Sequence, residues 1–330
     1  MTLARRDFLR LVAASMAAVG PPSSRAAWSQ TYPVRPVRVI VPVAAGGPVD
    51  VITRTIMQQF FEQPGQPYYV ENIPTGAGNV ATGIAAKAPA DGYTVMTVTT
   101  ALVINPSLYA SLPYDPIKDF APITLVGASP HVLVVHPALP AANVKELVAL
   151  VKSNPGKYSY ASPGTGQSGQ LAGEMFRLAC ELDLAHVPFN GAAPAITSTI
   201  AGHTQIAFMS LAAAAGSIKG GSLRALAVTS VNRSEVFPDI PTMVEAGVPD
   251  QQSAFWQGMV FPAGTPKDIV SRWHRDIVNV IGSDDTRKRL AAMSFEPVAN
   301  SSEEFSAFIK DELQKWRKVI DGASMKKLDH

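Results

Sequence analysis

The stretch VRVIVPVAAGGPVDVITR, residues 37–54, changes its hydrophobic period in the middle. Its first part is almost continuously β-branched, which is typical of a strand buried on both faces of a parallel sheet. After Gly46 and Gly47, apolar residues follow at helical spacing. A strand that enters a helix through such a turn directs free N–H groups and the positive helix end at one place. The stretch therefore predicts either an anion-binding turn or the ordinary first βα turn of an α/β domain.

The first 26 residues have the pattern of an export signal. Arg5 and Arg6 precede a short apolar segment, and small residues surround Ala26. This order is typical of a twin-arginine signal peptide that is cleaved after Ala26. The apolar segment is too short to serve as a membrane anchor. We therefore expect an exported, periplasmic protein.

Charge and cysteine content restrict the possible partners and the means of stabilisation. Removal of residues 1–26 lowers the number of basic residues from 28 to 24 and that of acidic residues from 26 to 25. A nearly neutral chain argues against a nucleic-acid partner. Cys180 is the only cysteine, so no disulfide can form within the chain. The mature length, about 300 residues, is typical of two domains.

A second glycine-rich loop repeats the layout of the first. Residues 158–162 are predicted to form a strand, residues 162–170 (SPGTGQSGQ) a loop, and the segment after them a helix. Another strand, over residues 93–99, ends next to Thr100. The hydroxyls of Thr99 and Thr100 either face a cleft at this sheet edge or cap the next helix.

The chain is predicted to cross between two α/β halves twice. Two short strands, 123–126 and 131–135, lie on either side of Pro130, where the chain enters the second half. Residues 255–261 return it to the first half. Glu312, in the last predicted helix, is expected to be solvated. The expected division is a signal peptide over residues 1–26, a first lobe over residues 27–126 and 258–330, and a second lobe over residues 127–257.

No catalytic or metal-binding motif is complete. Gly164, Gly166 and Gly169 have the spacing of a dinucleotide-binding loop, but Asn190 stands where the ribose-binding acid is expected. Residues 166–170 (GQSGQ) lack the last glycine of a serine-hydrolase motif. No HExxH zinc motif occurs. We therefore expect no catalytic residue, no metal and no cofactor, and a nucleotide-dependent oxidoreductase remains the weaker alternative.

Seven blocks of sequence follow one another in an order shared with a known family. They are Tyr32-Pro33 with Pro36-Val37-Arg38, Pro42-Val43-Ala44-Ala45-Gly46-Gly47 with Asp50, Pro89-Ala90-Asp91-Gly92-Tyr93-Thr94, Tyr114-Asp115-Pro116 with Lys118-Asp119-Phe120, His186-Val187-Pro188, Leu226-Ala227-Val228-Thr229 and Pro262-Ala263-Gly264-Thr265-Pro266. Together these blocks resemble the periplasmic receptors of tripartite tricarboxylate transporters, also called Bug-type solute receptors. The resemblance extends from Tyr32 to about Ile320.

This resemblance implies an α/β fold, that of a two-lobed periplasmic binding protein (type II-like) whose ligand cleft lies between lobes joined by crossing strands. It implies a small carboxylate ligand, either a di- or tricarboxylate or an aromatic acid, held by main-chain and hydroxyl groups of two opposed loops. It also implies delivery to a membrane permease with two integral subunits. A ligand-dependent sensor is the alternative within the same family. We expect a monomer.

Carried onto this chain, the resemblance places the ligand in the two glycine-rich loops and at neighbouring strand ends. Three residues depart from the family pattern: Gln170 stands where many members have histidine, Asn190 where they have lysine, and Met209 where they have aspartate. These departures predict a more neutral pocket, which favours a ligand with an apolar or aromatic body. The expected ligand-binding residues are Val43, Ala44, Ala45, Gly46, Gly47, Asp50, Thr100, Ser162, Gly164, Thr165, Gly166, Gln167, Ser168, Gln170, Asn190, Met209 and Ser210.

Overall fold

Two groups of parallel strands are joined by two long antiparallel strands in the computed structural model, which describes residues 32–61 and 68–329. The predicted signal peptide, residues 1–26, lies outside the described residues. None of the described helices is both long and apolar enough to span a bilayer.

The first half of the fold contains the strand and the glycine turn of residues 37–54. β1 lies between β2 and β3 and is parallel to both. Val39, Ile40 and Val41 are fully buried, as the unbroken β-branched run predicts. The elements are β1 (Val37–Val41), α1 (Pro48–Phe60), β2 (Tyr68–Asn72), a 3₁₀ turn (Gly76–Gly78), α2 (Asn79–Ala86), β3 (Thr94–Thr99) and α3 (Ala101–Leu108).

Two strands carry the chain between the halves. They are β4 (Phe120–Val135) and β9 (Ala254–Pro262). β9 pairs antiparallel with β3 and with the first part of β4, whereas residues 131–135 of β4 pair with strands of the second half. The prediction of two short strands around Pro130 is therefore wrong. β9 continues as a pairing partner through this segment, and Pro130 lies opposite Ala254 within the ladder.

The second half repeats the parallel arrangement. β5 lies between β6 and β7 and is parallel to both, and β8 pairs with the end of β4. A separate core fills this half, with Tyr160, Phe176 and Phe208 fully buried. The elements are α4 (Val144–Lys152), β5 (Ser159–Ser162), α5 (Ser168–Ala179), β6 (Ala185–Pro188), α6 (Ala192–Ile200), β7 (Ile206–Ser210), α7 (Leu211–Lys219) and β8 (Arg224–Val228).

The C-terminal segment packs on the first half. It consists of α8 (Lys267–Gly282), α9 (Asp284–Ala292), β10 (Glu296–Pro297), which pairs with β4, and α10 (Ser302–Gly322). The expectation that Glu312 is solvated is wrong, because its side chain is only 7% exposed. Its carboxylate accepts hydrogen bonds from the indole N–H groups of Trp256 at 3.0 Å and Trp316 at 2.9 Å. A buried acid is tolerated here because donors surround it.

The crossing strand β9 requires a glycine at position 258. A Cβ at this position would lie 2.3 Å from the ring of Phe305, which is fully buried in the core and cannot move aside. We expect Gly258→Ala to lower the free energy of unfolding by about 1–3 kcal/mol, because overpacking displaces the core or the strand. Urea unfolding of the mature protein measures this loss.

Gly282→Ala is the matched control. Gly282 is exposed at the last residue of α8, and a Cβ there would meet no heavy atom within 4 Å. We expect this variant to be unchanged or stabilised by up to about 1 kcal/mol. Equal losses in the two variants would contradict the assigned packing of β9 against α10.

Candidate ligand-binding site

The two glycine-rich loops are closed in the same way. Gly46 and Gly166 both have positive φ angles, +83° and +76°, which favour glycine. The N–H of Gly46 donates to Oδ2 of Asp50 at 2.8 Å, and the N–H of Gly166 donates to Oε1 of Gln170 at 2.7 Å. In each loop, a side chain from the first turn of the helix thus fixes the glycine four residues before it.

Asp50 braces the first loop from inside. It is 2% exposed and also accepts hydrogen bonds from Arg54 Nε at 3.0 Å and Asn72 Nδ2 at 2.9 Å. Burial alone would raise the pKa of Asp50, but the hydrogen bonds from Arg54, the Gly46 amide and Asn72 outweigh it and hold the pKa below its usual value. Asn72 also donates to the main-chain oxygen of Val43, so the acid ties the turn to strand β2.

The second loop is braced by Ser162 and Gln170. Ser162 is fully buried, and its hydroxyl lies 2.7 Å from Nε2 of His186. Burial lowers the pKa of His186, which favours the neutral ring. Gln170 is 6% exposed and is occupied by the Gly166 amide. Ser162 and Gln170 therefore stabilise the loop by hydrogen bonds on its buried side.

Both loops border one cavity of about 270 Å³, which we call the main cavity. Four helices begin at its wall, namely α1, α5, α6 and α7, and each follows the carboxyl end of a strand. No side chain caps the N-terminus of α1, α5 or α6, whereas Ser210 caps α7. The lining residues are Val43, Gly47, Pro48, Val49, His131, Pro163, Gln167, Ser168, Gly169, Ala192, Ser210, Ala213 and Phe255.

Only backbone groups can supply a positive potential in the main cavity. Its lining includes no Lys, Arg, Asp or Glu side chain, and His131 is its only titratable residue. His131 is 1% exposed, and burial, helped by the charge of Lys315, lowers its pKa to about 3. The ring is therefore neutral at physiological pH. First-turn N–H groups without a capping side chain and the helix dipoles remain to receive an anion.

A second cavity, which we call the side cavity, opens next to the first and also measures about 270 Å³. Val43, Gln167 and Phe255 border both cavities. Most of the side cavity is apolar and belongs to the first half. Its other lining residues are Pro42, Ala44, Pro74, Ala77, Gly78, Thr82, Met96, Val98, Thr99, Ala101 and Leu102.

Nine of the residues predicted from the sequence border these cavities or a small crevice beside them, which measures about 10 Å³. The nine are Val43, Ala44, Gly47, Thr100, Thr165, Gly166, Gln167, Ser168 and Ser210. The other eight lie behind the loops, in the core or at the surface, and border none of the three spaces. They are Ala45, Gly46, Asp50, Ser162, Gly164, Gln170, Asn190 and Met209.

Sequence reasoning missed four notable lining residues. His131 and Phe255 lie on the crossing strands, and Ala192 and Ala213 lie in the first turns of α6 and α7. His131 alone had a signal in the sequence, because it is a polar residue next to the apolar segment 132–135. Alanine in a helix start carries no such signal. Ala192 contributes a main-chain N–H, and Ala213, whose N–H donates to Ser210 Oγ, contributes the absence of bulk.

Comparisons with known proteins show a family match. A family model described as "Tripartite tricarboxylate transporter family receptor" matches residues 52–325. Protein BugT of Bordetella pertussis is 33% identical over 302 residues, which cover 90% of this chain and 93% of BugT. The resemblance seen in the sequence is therefore confirmed. The family consists of solute-binding receptors, not enzymes.

Solved structures show the same two-lobed α/β fold. R. palustris Rpa4515 with adipate has a TM-score of 0.81 and 30% identity, over 90% of this chain and all of that one. MatC from Rhodopseudomonas palustris with bound malate has a TM-score of 0.76 and 28% identity, over 88% of this chain and all of that one. The expected fold class, that of a two-lobed periplasmic binding protein, is confirmed.

Asp50→Asn tests the bracing of the first loop. We expect a loss of about 1.5–3 kcal/mol in the free energy of unfolding at pH 7, since hydrogen bonds to a buried carboxylate are lost. The folded-state pKa of Asp50 lies below the unfolded value of about 3.9. The stabilisation is therefore complete above that value and disappears as the pH falls through the folded pKa. Denaturant unfolding between pH 2 and pH 7 measures the difference between wild type and variant.

Glu245→Gln is the control, because Glu245 also pairs with an arginine, Arg233, but is 46% exposed. An exposed pair of this kind contributes at most about 1 kcal/mol. A loss in Asp50→Asn no larger than that of Glu245→Gln would contradict the bracing role of Asp50.

Proposed function

Because the chain belongs to the tripartite tricarboxylate transporter receptor family, we propose that it captures a small organic carboxylate in the main cavity and delivers it to a membrane permease. The observation that carries the proposal is the convergence of three helix N-termini without a capping side chain, those of α1, α5 and α6, on a cavity without an acidic lining residue. Carboxylates are stabilised at such helix starts by main-chain N–H groups and by the helix dipole.

The backbone supplies enough binding energy for such a ligand. A hydrogen bond to a charged group contributes about 1.5–3 kcal/mol, and several first-turn N–H groups border the main cavity. Association and ordering cost about 4–15 kcal/mol. Four to six such bonds, together with apolar contact to Phe255, Pro48 and Pro163, support a dissociation constant near the micromolar range. This corresponds to a binding free energy of about 8 kcal/mol.

The size and lining of the two cavities restrict the ligand. Each cavity lies just below the usual range for small-molecule pockets, about 300–1,000 Å³, so a compact acid fits. One carboxylate occupies the main cavity, and the body of the ligand extends past Gln167 towards the apolar side cavity. Adipate and malate, which the two structural relatives bind, are acids of this size.

Lobe closure and export complete the proposal. The lobes are residues 27–126 with 258–330, and residues 127–257, and the crossing strands are the hinge about which they close on the ligand. Residues 1–26 direct export to the periplasm through the twin-arginine route. The mature protein acts as a monomer, and the closed form is recognised by a permease of two integral subunits.

Ala192→Asp tests the anion site. Ala192 is the first residue of α6, where an acidic side chain favours the helix dipole, so the fold is retained. The new charge repels a carboxylate about 5 Å away by about 3 kcal/mol at an effective dielectric constant of 20. We expect an affinity loss of about a hundredfold. Thermal shift with succinate, malate, adipate, citrate and benzoate identifies the best compound, and calorimetry gives its affinity.

Ala192→Asn is the control, because it has the shape of aspartate without its charge. We expect Ala192→Asn to lose at most about tenfold in affinity. Equal affinities of the Asp and Asn variants for the same acid would refute anion capture at this place. No binding of any of the five acids to the wild-type protein, after denaturation has excluded a co-purified ligand, would refute carboxylate capture itself.

A further inference from the structure

A cavity of about 200 Å³, which we call the hinge groove, borders the two crossing strands. Four strand residues line it: Ala128 and Pro130 of β4, and Ala254 and Trp256 of β9. They form two directly paired positions of the antiparallel ladder, Ala128 with Trp256 and Pro130 with Ala254. Directly paired residues of antiparallel strands point to the same side of a sheet. The hinge groove therefore lies on one face of the β4–β9 ladder.

The main cavity lies on the opposite face of this ladder. Side chains alternate between the two faces of a strand, and Phe255, which stands between Ala254 and Trp256, borders the main cavity. Ser129 pairs with Phe255 in the ladder. Its hydroxyl accepts a hydrogen bond at 3.0 Å from the N–H of Ala212, in the first turn of α7 at the wall of the main cavity. The crossing strands thus separate the hinge groove from the ligand site.

The two halves of the fold form opposite walls of the hinge groove. Ser230 and Val231, which follow β8, form the wall of the second half. Phe308 and Lys315 of α10 form the wall of the first half. The walls touch at one place, where Nζ of Lys315 donates to the main-chain oxygen of Gln252 at 3.4 Å. A rotation about the crossing strands that narrows the main cavity therefore widens the hinge groove and lengthens this contact.

We propose that the hinge groove is a conformational lever of the ligand site: a wider groove favours closure of the lobes on the carboxylate, and a narrower groove holds the lobes apart. This inference rests on the proposed function, in which the lobes close about the crossing strands. When only the closed form binds tightly, the apparent dissociation constant is the intrinsic constant divided by the fraction of closed protein. A residue in the groove therefore changes the affinity for an acid that it does not touch.

Two groups in the groove act in opposite directions on its width. The Oγ atom of Ser230 is buried and has no hydrogen-bond partner among the described residues. A buried hydroxyl without a partner is unfavourable, and a wider groove admits water to it. The Ser230 hydroxyl thus favours the wide groove, whereas the contact of Lys315 with Gln252 favours the narrow one.

Larger side chains in the hinge groove test the lever. Val231 is 72% exposed, so a larger side chain at this position disturbs no core. The indole of Val231→Trp fills the groove and opposes its narrowing. We expect calorimetry of the mature variant to show at least about threefold tighter binding of malate and adipate than in wild type, because the closed fraction rises. Ala254→Leu adds volume to the floor of the groove, and we expect a change in the same direction.

Ser230→Ala tests the lever with the opposite sign. This variant removes the hydroxyl that favours the wide groove, so we expect about twofold weaker binding of the same two acids. Val244→Trp is the matched control for Val231→Trp. Val244 is also an exposed valine of the second half, at 51%, but it borders neither the hinge groove nor the main and side cavities. Its affinities are expected to equal those of wild type.

Small-angle X-ray scattering tests the lever without an acid. We expect the radius of gyration of ligand-free Val231→Trp to move from that of ligand-free wild type towards that of wild type saturated with the tighter-binding of malate and adipate. Damage to the fold would weaken binding, so tighter binding by a variant outside the cleft has no such explanation.

Three results would contradict the lever while leaving carboxylate capture intact. They are binding of both acids by Val231→Trp and Ala254→Leu no tighter than by wild type, an equal gain in Val244→Trp, and an unchanged radius of gyration of Val231→Trp. Failure of the wild-type protein to bind any of the acids succinate, malate, adipate, citrate and benzoate would overturn both the lever and the proposed function.

Discussion

The antiparallel pairing of β4 with β9 is the constraint on which the ligand site depends. β9 holds β4 against β3 in the first half, and the end of β4 pairs with β7 and β8 in the second. Two parallel groups of strands are thereby joined so that helices following β1, β5, β6 and β7 all start at one cavity. Ligand sites of α/β proteins lie at the carboxyl ends of strands, where the following helices begin. Here the carboxyl ends of strands from both halves meet at the main cavity.

In the proposed site, fixed backbone dipoles take the place of side-chain cations. Asp50 and Gln170 do not face the main cavity; each closes the glycine turn behind it and so holds the helix start in place. Because the donors are main-chain groups on braced loops, they need little reorganisation when an anion arrives. Under the proposed function, recognition then depends on the pattern of main-chain donors and on the apolar wall.

The sequence predicted both glycine loops, the buried strand β1 and the return through β9, because these depend on local period and turn chemistry. It did not predict that β4 passes through Pro130 unbroken, since that depends on pairing with residues more than a hundred positions away. Glu312 was misplaced for a similar reason, because its indole partner Trp256 is remote in sequence. Within the loops, composition identified the segment but not the direction of each side chain, so bracing residues and lining residues could not be distinguished.

A crystal structure of the mature protein with bound malate tests the central claim most directly. We expect the carboxylate to lie in the main cavity and its oxygens to accept hydrogen bonds from first-turn N–H groups of at least two of the helices α1, α5 and α6. A carboxylate held chiefly by a lysine or arginine side chain, or bound outside the main cavity, would contradict it.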